Sequence, residues 1–321
     1  MREVTCHEVG APRLNEALEG IGPRTVGRWH TMRYDDASPE RLRETGDELL
    51  DHVAARAGEG RPLDGPARAA LRTAAECALG ILSVGCFPDG DQEILFPLIG
   101  ESLSSEDIAF GDVVACGGGR APSAATWLDA FATCLVSGLV WDWQRVIGLL
   151  LRSDYAPALH DGVPYTKPES VSHPVDLAAM DALCRYLTEA EGHLPRDWPT
   201  VPLCKPDAGE RAGAAEKLDA AGPLAADRRL LRVLLDDDQH AFEEALAARL
   251  VEHREGAGPD PAPRTLLPLG ALALAALAVQ VHGWDLGVRS GYLPPDLLGT
   301  PDALSRAAEG GPNTLGGWYA K

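Results

Sequence analysis

Residues 139–151 read LVWDWQRVIGLLL: two tryptophans around an aspartate, then an almost unbroken apolar run. Three readings compete for such a stretch: a membrane segment, the wall of a ligand pocket, or a helix inside a large core. A spanning helix needs about 20 predominantly apolar residues. Asp129, Asp142 and Arg145 interrupt the wider segment 123–151, which argues against a span. A helix that is apolar on all sides belongs in the core of a large soluble protein. At helical spacing Trp141 and Trp143 lie about 200° apart. One indole then fills the core, and the other fills a second layer or an interface. Trp127 stands 14 residues before Trp141, on nearly the same side. Trp127, Trp141 and Trp143 are therefore the core or pocket aromatics, with Asp142 and Arg145 pairing at i,i+3 on the polar edge. The stretch reads as the central helix of the scaffold, either one helix over 123–151 or two joined near Gly138.

Helical signals continue outward in both directions. Ser38 is placed as an N-cap with Pro39 at the first helical position, and Leu42, Leu49, Leu50 and Val53 recur on one face. In 65–85 the stripe is Leu71, Ala75, Ala78, Leu79 and Leu82. Further helices are expected over 174–192, within 225–256 (the second capped by Asp237 or Asp238) and over 265–281. The last is interrupted by Pro268 and Gly270, which argues against a span there too. Strand alternation is confined to 92–100 and 107–115, and Pro97 weakens the first. The fold class is all-α, with antiparallel helices stacked as a bundle or solenoid-like array and few or no strands. The chain is one domain, 1–321. The alternative is two lobes, 1–192 and 208–321, joined across the proline-rich 193–207.

Charge is the compositional outlier. There are 48 acidic and 29 basic residues in 321, a net charge of -19. Such a chain repels nucleic-acid phosphates and anionic lipid, and attracts cations or basic proteins. Between Arg72 and Arg120 there is no basic residue, while Glu76, Asp89, Asp91, Glu93, Glu101, Glu106, Asp107 and Asp112 fall in that interval. Much of it is loop-like, where binding residues concentrate. A single-sign field of this kind speeds association with a basic partner. A solvated acidic face is the plain alternative. The seven cysteines, at 6, 77, 86, 116, 134, 184 and 204, have no CxxC spacing. They read as reduced thiols in a cytoplasmic protein, and the N-terminus lacks the apolar core of a secretory signal.

No motif carries chemistry. GESLS at 100–104 lacks the closing glycine of a nucleophile elbow, and no clear strand precedes it. CGGGRAP at 116–122 lacks the lysine and hydroxyl of a phosphate-binding loop. PDGDQE at 88–93 makes a turn and does not complete a calcium loop. No HExxH occurs, and nothing near Cys6-His7 completes a metal set. Neither catalytic residues nor a metal or cofactor site is expected.

LLRVLLDDDQHAFEEALAARLVEHR (230–254), LLPLGALALAALAVQVHGW (266–284) and SGYLPPDLL (290–298), in that order, resemble the Immunity protein 49 family of bacterial polymorphic toxin systems. CLVSGLVWDWQRVIGLLL (134–151) resembles its actinobacterial members, and the likeness spans roughly 27–298. The resemblance implies an all-α cytoplasmic protein that protects the producing cell by binding a toxin encoded beside it. It implies no catalytic residue. Asp89, Asp91, Glu93, Glu101, Glu106, Asp107 and Asp112 are then the partner-binding acids. They would cover the active site of a basic toxin, such as a nuclease, in place of phosphates. Trp29, Trp198 and Trp318 are candidate anchors within the charged rim. An enzyme with a helical pocket around Trp141, Asp142 and Arg145 is the alternative, and a multi-partner helical scaffold is the third reading.

Overall fold

The computed structural model describes residues 2–35, 37–60, 62–87, 90–104, 121–142, 146–161, 172–190 and 198–309. A short strand, β1 (Arg2–Val4), precedes α1 (Ala11–Leu18), α2 (Ile21–Tyr34), α3 (Pro39–Gly58) and α4 (Gly65–Cys86). A hairpin follows, β2 (Glu93–Phe96) and β3 (Glu101–Ser104). Then come α5 (Ala124–Val136), a 3-10 turn (Leu139–Trp141), α6 (Ile147–Leu149), a π turn (Leu150–Tyr155), α7 (Ala156–Asp161) and α8 (Pro174–Cys184). The C-terminal part holds α9 (Ala208–Ala221), α10 (Ala226–Leu235), α11 (Gln239–Glu255), a 3-10 turn (Pro263–Leu266), α12 (Leu269–Gln280), β4 (Val288–Ser290), α13 (Pro295–Leu298) and α14 (Ala303–Glu309). The fold is predominantly α, as expected.

Helix starts follow local chemistry. Ser38 accepts from the Arg41 amide at 3.3 Å, with Pro39 at the first helical position. Asp64 caps α4 through the Ala67 amide at 2.9 Å. Asp207 and Glu210 form a reciprocal capping box on α9. Asp238, not Asp237, caps α11, accepting from the Ala241 amide at 3.1 Å.

The 139–151 stretch departs from expectation. It is neither one helix nor the centre of the scaffold. Gly138 takes φ +75, which ends α5, and Val146 takes φ +50 before α6 restarts the chain. Positive φ is open to glycine and rare for a β-branched residue, so neither position continues a helix. Trp127 and Trp141 consequently share no helix face. Trp127 is fully buried, stacks on Phe131 at 5.2 Å and donates from Nε1 to the Leu151 carbonyl at 2.9 Å. Trp141 is half-buried and donates to Gln280 Oε1 at 2.8 Å. Asp142 pairs with Arg72 across to α4. Trp143 and Arg145 lie outside the described residues.

The central position belongs to α4, which packs on α3, α5 and β2, and to α12, which packs on α5, α10, α11 and α13. In α12 every residue from Ala271 to Gln280 is buried. Gly65–Cys86 and Pro263–Gln280 are long and apolar enough to cross a membrane by length and composition, and most of each is packed inside the protein. One hydrophobic cluster runs from Val4 to Leu297. A smaller one joins Met32, Leu42, Cys77 and Val84 to Ile94, Phe96 and Leu103 of the hairpin. Ile94 seats against Gly80, where a Cβ would meet its Cδ1 at 2.5 Å.

Among the described residues the strands are few and short. β2 ends just before Pro97, as its missing N–H dictates. β3 falls on ESLS, so the stretch set aside as a failed nucleophile elbow is a hairpin strand. The expected 107–115 strand lies outside the described residues. β1 pairs in parallel with β4, Arg2 opposite Val288 and Val4 opposite Ser290. This joins the N-terminal segment to the C-terminal part.

Candidate functional site

Of the seven acids singled out from the sequence, Asp91, Glu93 and Glu101 are described, and all three are exposed. Asp89, Glu106, Asp107 and Asp112 lie outside the described residues. The hairpin register places Glu93 opposite Ser104 and Glu101 opposite Phe96. Cross-strand partners share a face and neighbours along a strand alternate. Glu93 and Glu101 therefore sit at opposite ends of the hairpin and on opposite faces, not in one patch.

Asp91 and Glu93 instead line a cavity of about 480 Å³ between α4, the hairpin and the π turn. Glu76 of α4 and Asp154 of the π turn complete four carboxylates, and no basic side chain is among the described lining residues. Glu76 is buried and sits at the floor, whereas Asp91 and Glu93 stand at the rim. Asp154 was not foreseen, because only the fold brings the π turn beside α4.

The aromatic anchors separate as well. Trp29 is half-buried, and its Nε1 donates to the Ser102 carbonyl at 3.0 Å, tying α2 to the hairpin. The Arg33 guanidinium lies 5.6 Å above its ring. Trp198 is half-buried, and Trp318 lies outside the described residues. Among the described residues the exposed large hydrophobics are Val26 and Tyr34, eight residues apart on α2. His30 lies between them and packs on Tyr34 at 4.6 Å. The sequence reading missed this stripe because it carries only two apolar side chains.

Buried polar clusters serve as ties. His282 is wholly enclosed, with Nδ1 at 2.7 Å from Asp237 and Nε2 at 2.9 Å from the Tyr186 hydroxyl. His7 bridges the Tyr292 hydroxyl at 2.6 Å and the Thr265 hydroxyl at 2.8 Å. Burial depresses the pKa of both histidines. Burial pushes the Cys86 and Cys184 thiols up to about 12, far from the range of a nucleophilic thiolate. Among the described residues no group of three or more His, Cys, Asp or Glu is placed to hold a metal ion.

The pocket imagined around Trp141, Asp142 and Arg145 does not assemble as an acid–base site among the described residues. Trp141 lines a groove with Arg68, Arg72 and Arg306. Their guanidiniums pair with Asp296, Asp142 and Asp302. A second cleft, of about 340 Å³, lies between α3, α4 and α5 and exposes Asp129.

No curated protein and no solved structure matches the chain. A family match does: residues 63–297 correspond to Immunity protein 49, beginning just before α4 and running into α13. Helices α1 to α3 lie outside it. With nearly three quarters of its 321 residues inside that match, the chain belongs to the Immunity protein 49 family.

Proposed function

We propose that the protein is a cytoplasmic, non-enzymatic inhibitor that binds a basic toxin encoded by a neighbouring gene and covers its active site with carboxylates. Family membership carries the immunity role and the toxin as partner. The net charge of -19 supports the basic character of that partner. An acidic surface raises the association rate with a cationic partner, and the effect weakens as salt shortens the Debye length to about 10 Å at 0.1 M. Among the described residues, the four-carboxylate cavity gathers three acids of that interval, Glu76, Asp91 and Glu93, beside Asp154. Asp91 and Glu93 are its exposed members.

The first experiment is co-expression with the neighbouring gene product, reading growth rescue and a stoichiometric complex together. Given a complex, Asp91→Lys with Glu93→Lys is expected to slow association about tenfold or more at low salt and to flatten its salt dependence. Dissociation should change less. Both side chains are exposed, so thermal unfolding should stay near wild type. Glu101→Lys, on the far face of the hairpin, is the matched comparison and should have a smaller effect. Equal association rates for the double variant and wild type would move the interface away from this rim. A harmless neighbour with no complex would remove the inhibitor reading itself.

A further inference from the structure

Asp129 is the single charged residue of α5, where ten of thirteen residues are buried. Thr126, Asp129 and Thr133 stand at i, i+3 and i+7, so they share one face of the helix. That face looks into the 340 Å³ cleft bounded by α3, α4, α5 and the chain leading into α12. Leu42 and Cys77 on its wall belong to the smaller hydrophobic cluster, whereas Ala74 and Leu267 belong to the larger. The cleft is the space left where the two cores do not meet.

The polar groups around it are settled, with one exception. Thr133 donates to the Asp129 main-chain carbonyl at 2.7 Å, and Thr126 accepts from the Ser123 amide at 3.2 Å. At the mouth, Arg264 is held by Asp51 at 2.8 Å and Asp47 at 3.4 Å. Arg43 has Glu40 at 3.7 Å. The Asp129 carboxylate takes no hydrogen bond or ion pair from any described residue. It reaches the water of the cleft, yet surrounding protein crowds it enough that burial raises its pKa. Arg228 and Arg43 offset part of that cost from a distance, but neither touches the carboxylate, and a cationic donor within the cleft would satisfy it directly.

We infer that this cleft binds an amidinium, guanidinium or ammonium group carried on an apolar body, with Asp129 accepting the charged hydrogen bonds and the aliphatic wall covering the body. The volume lies at the lower end of small-ligand pockets, roughly 300–1,000 Å³. An apolar floor with a few polar groups that fix orientation is the usual make-up of such a site, and here Asp129 is the charged group that no described side chain contacts. The group could be supplied by a free small molecule or by a basic side chain of a bound protein. The site itself does not depend on the toxin reading, since it rests on Asp129 and the cleft alone.

The test uses the full chain and two probes of nearly equal shape, benzamidine and neutral benzamide, titrated calorimetrically. Saturable benzamidine binding is expected, with benzamide at least about tenfold weaker. Asp129→Asn keeps the side-chain shape and should weaken benzamidine by a similar factor. Ala78→Phe fills the cleft from α4 and should abolish binding, which keeps the inference testable should the first variant fold poorly. Benzamide binding as tightly as benzamidine, benzamidine unaffected by both substitutions, or no saturable binding would each overturn the site. Adding benzamidine to the toxin complex then separates the sources. Competition assigns the group to a side chain of the toxin, and its absence assigns it to a free small molecule.

Discussion

Trp127→Ala is expected to lower the free energy of unfolding by about 3–5 kcal/mol, the range for truncating a buried aromatic. The indole is fully buried and lies nearly parallel to Phe131, with centroids 5.2 Å apart and planes 12° apart. Its removal leaves a cavity that the neighbouring helices fill only in part. It also strips the Leu151 carbonyl of the indole N–H donor it receives at 2.9 Å. That carbonyl belongs to the π turn, so the hydrogen bond couples α5 to the segment that carries Asp154 into the acidic cavity. Trp127→Phe separates the two contributions. It keeps an aromatic ring but removes the indole N–H, leaving the Leu151 carbonyl with the Ala156 amide alone, and should cost about 1–3 kcal/mol. Urea unfolding of the three proteins measures both differences. A loss under about 1 kcal/mol for the alanine variant would mean that Trp127 does not anchor the core.

The contrast between Trp127 and Trp141 also marks what sequence patterns convey. Caps and apolar stripes are local, so α3, α4 and α11 were legible from Ser38, the Leu71–Leu82 stripe and the acids before Gln239. Gly138 was legible as a joint. The positive φ of Val146 was not, because no local signal favours that conformation for valine. The pairing of β1 with β4 was hidden for another reason. Each strand is three residues long, too short for alternation, and almost the whole chain separates them. At the candidate site, composition exposed the acidic interval but not its shape. The hairpin register, invisible before pairing is known, sends Glu101 away from Glu93. Asp129 was noticed as an interruption in an apolar run, and its setting in a cleft depends on α3 and α4. The family match beginning at 63 also narrows the similarity expected from residue 27.

The three acids 236–238 carry the last of these lessons and the second large effect. Of the two acids expected as alternative caps, Asp238 caps the helix, whereas Asp237 takes φ +58 and turns inward. Its carboxylate meets Lys205 at 2.8 Å, Arg211 at 3.0 Å and His282 at 2.7 Å. An ionised carboxylate only accepts, so His282 donates through Nδ1, and neutral Nε2 accepts from the Tyr186 hydroxyl. Asp237→Asn tolerates the left-handed backbone and removes only the charge. It leaves two cations and an enclosed imidazole without their anion, and should cost about 2–4 kcal/mol. The same cluster makes stability depend on pH. Burial lowers the pKa of His282, reinforced by Lys205 and Arg211 and opposed by Asp237. Burial likewise lowers His7 and His52. Unfolded histidines take up protons as pH falls below about 6.5, and these native ones resist. Their stabilisation is therefore complete above that pH and declines as pH drops toward the native values. Asp237 adds a further loss in more acidic solution. Burial raises its pKa, but hydrogen bonds and charge from Lys205 and His282 outweigh this and hold it below the usual carboxylate value. Asp47 and Asp129, raised by burial, act in the opposite direction as they protonate. Urea midpoints between pH 7.5 and 5.5 should consequently fall. His52→Asn retains a donor for the Ala17 carbonyl, which His52 Nδ1 meets at 3.0 Å, and should make the fall shallower by up to one proton's worth. Midpoints independent of pH over that window would mean that the folded and unfolded chains take up the same number of protons there, against depressed native histidines.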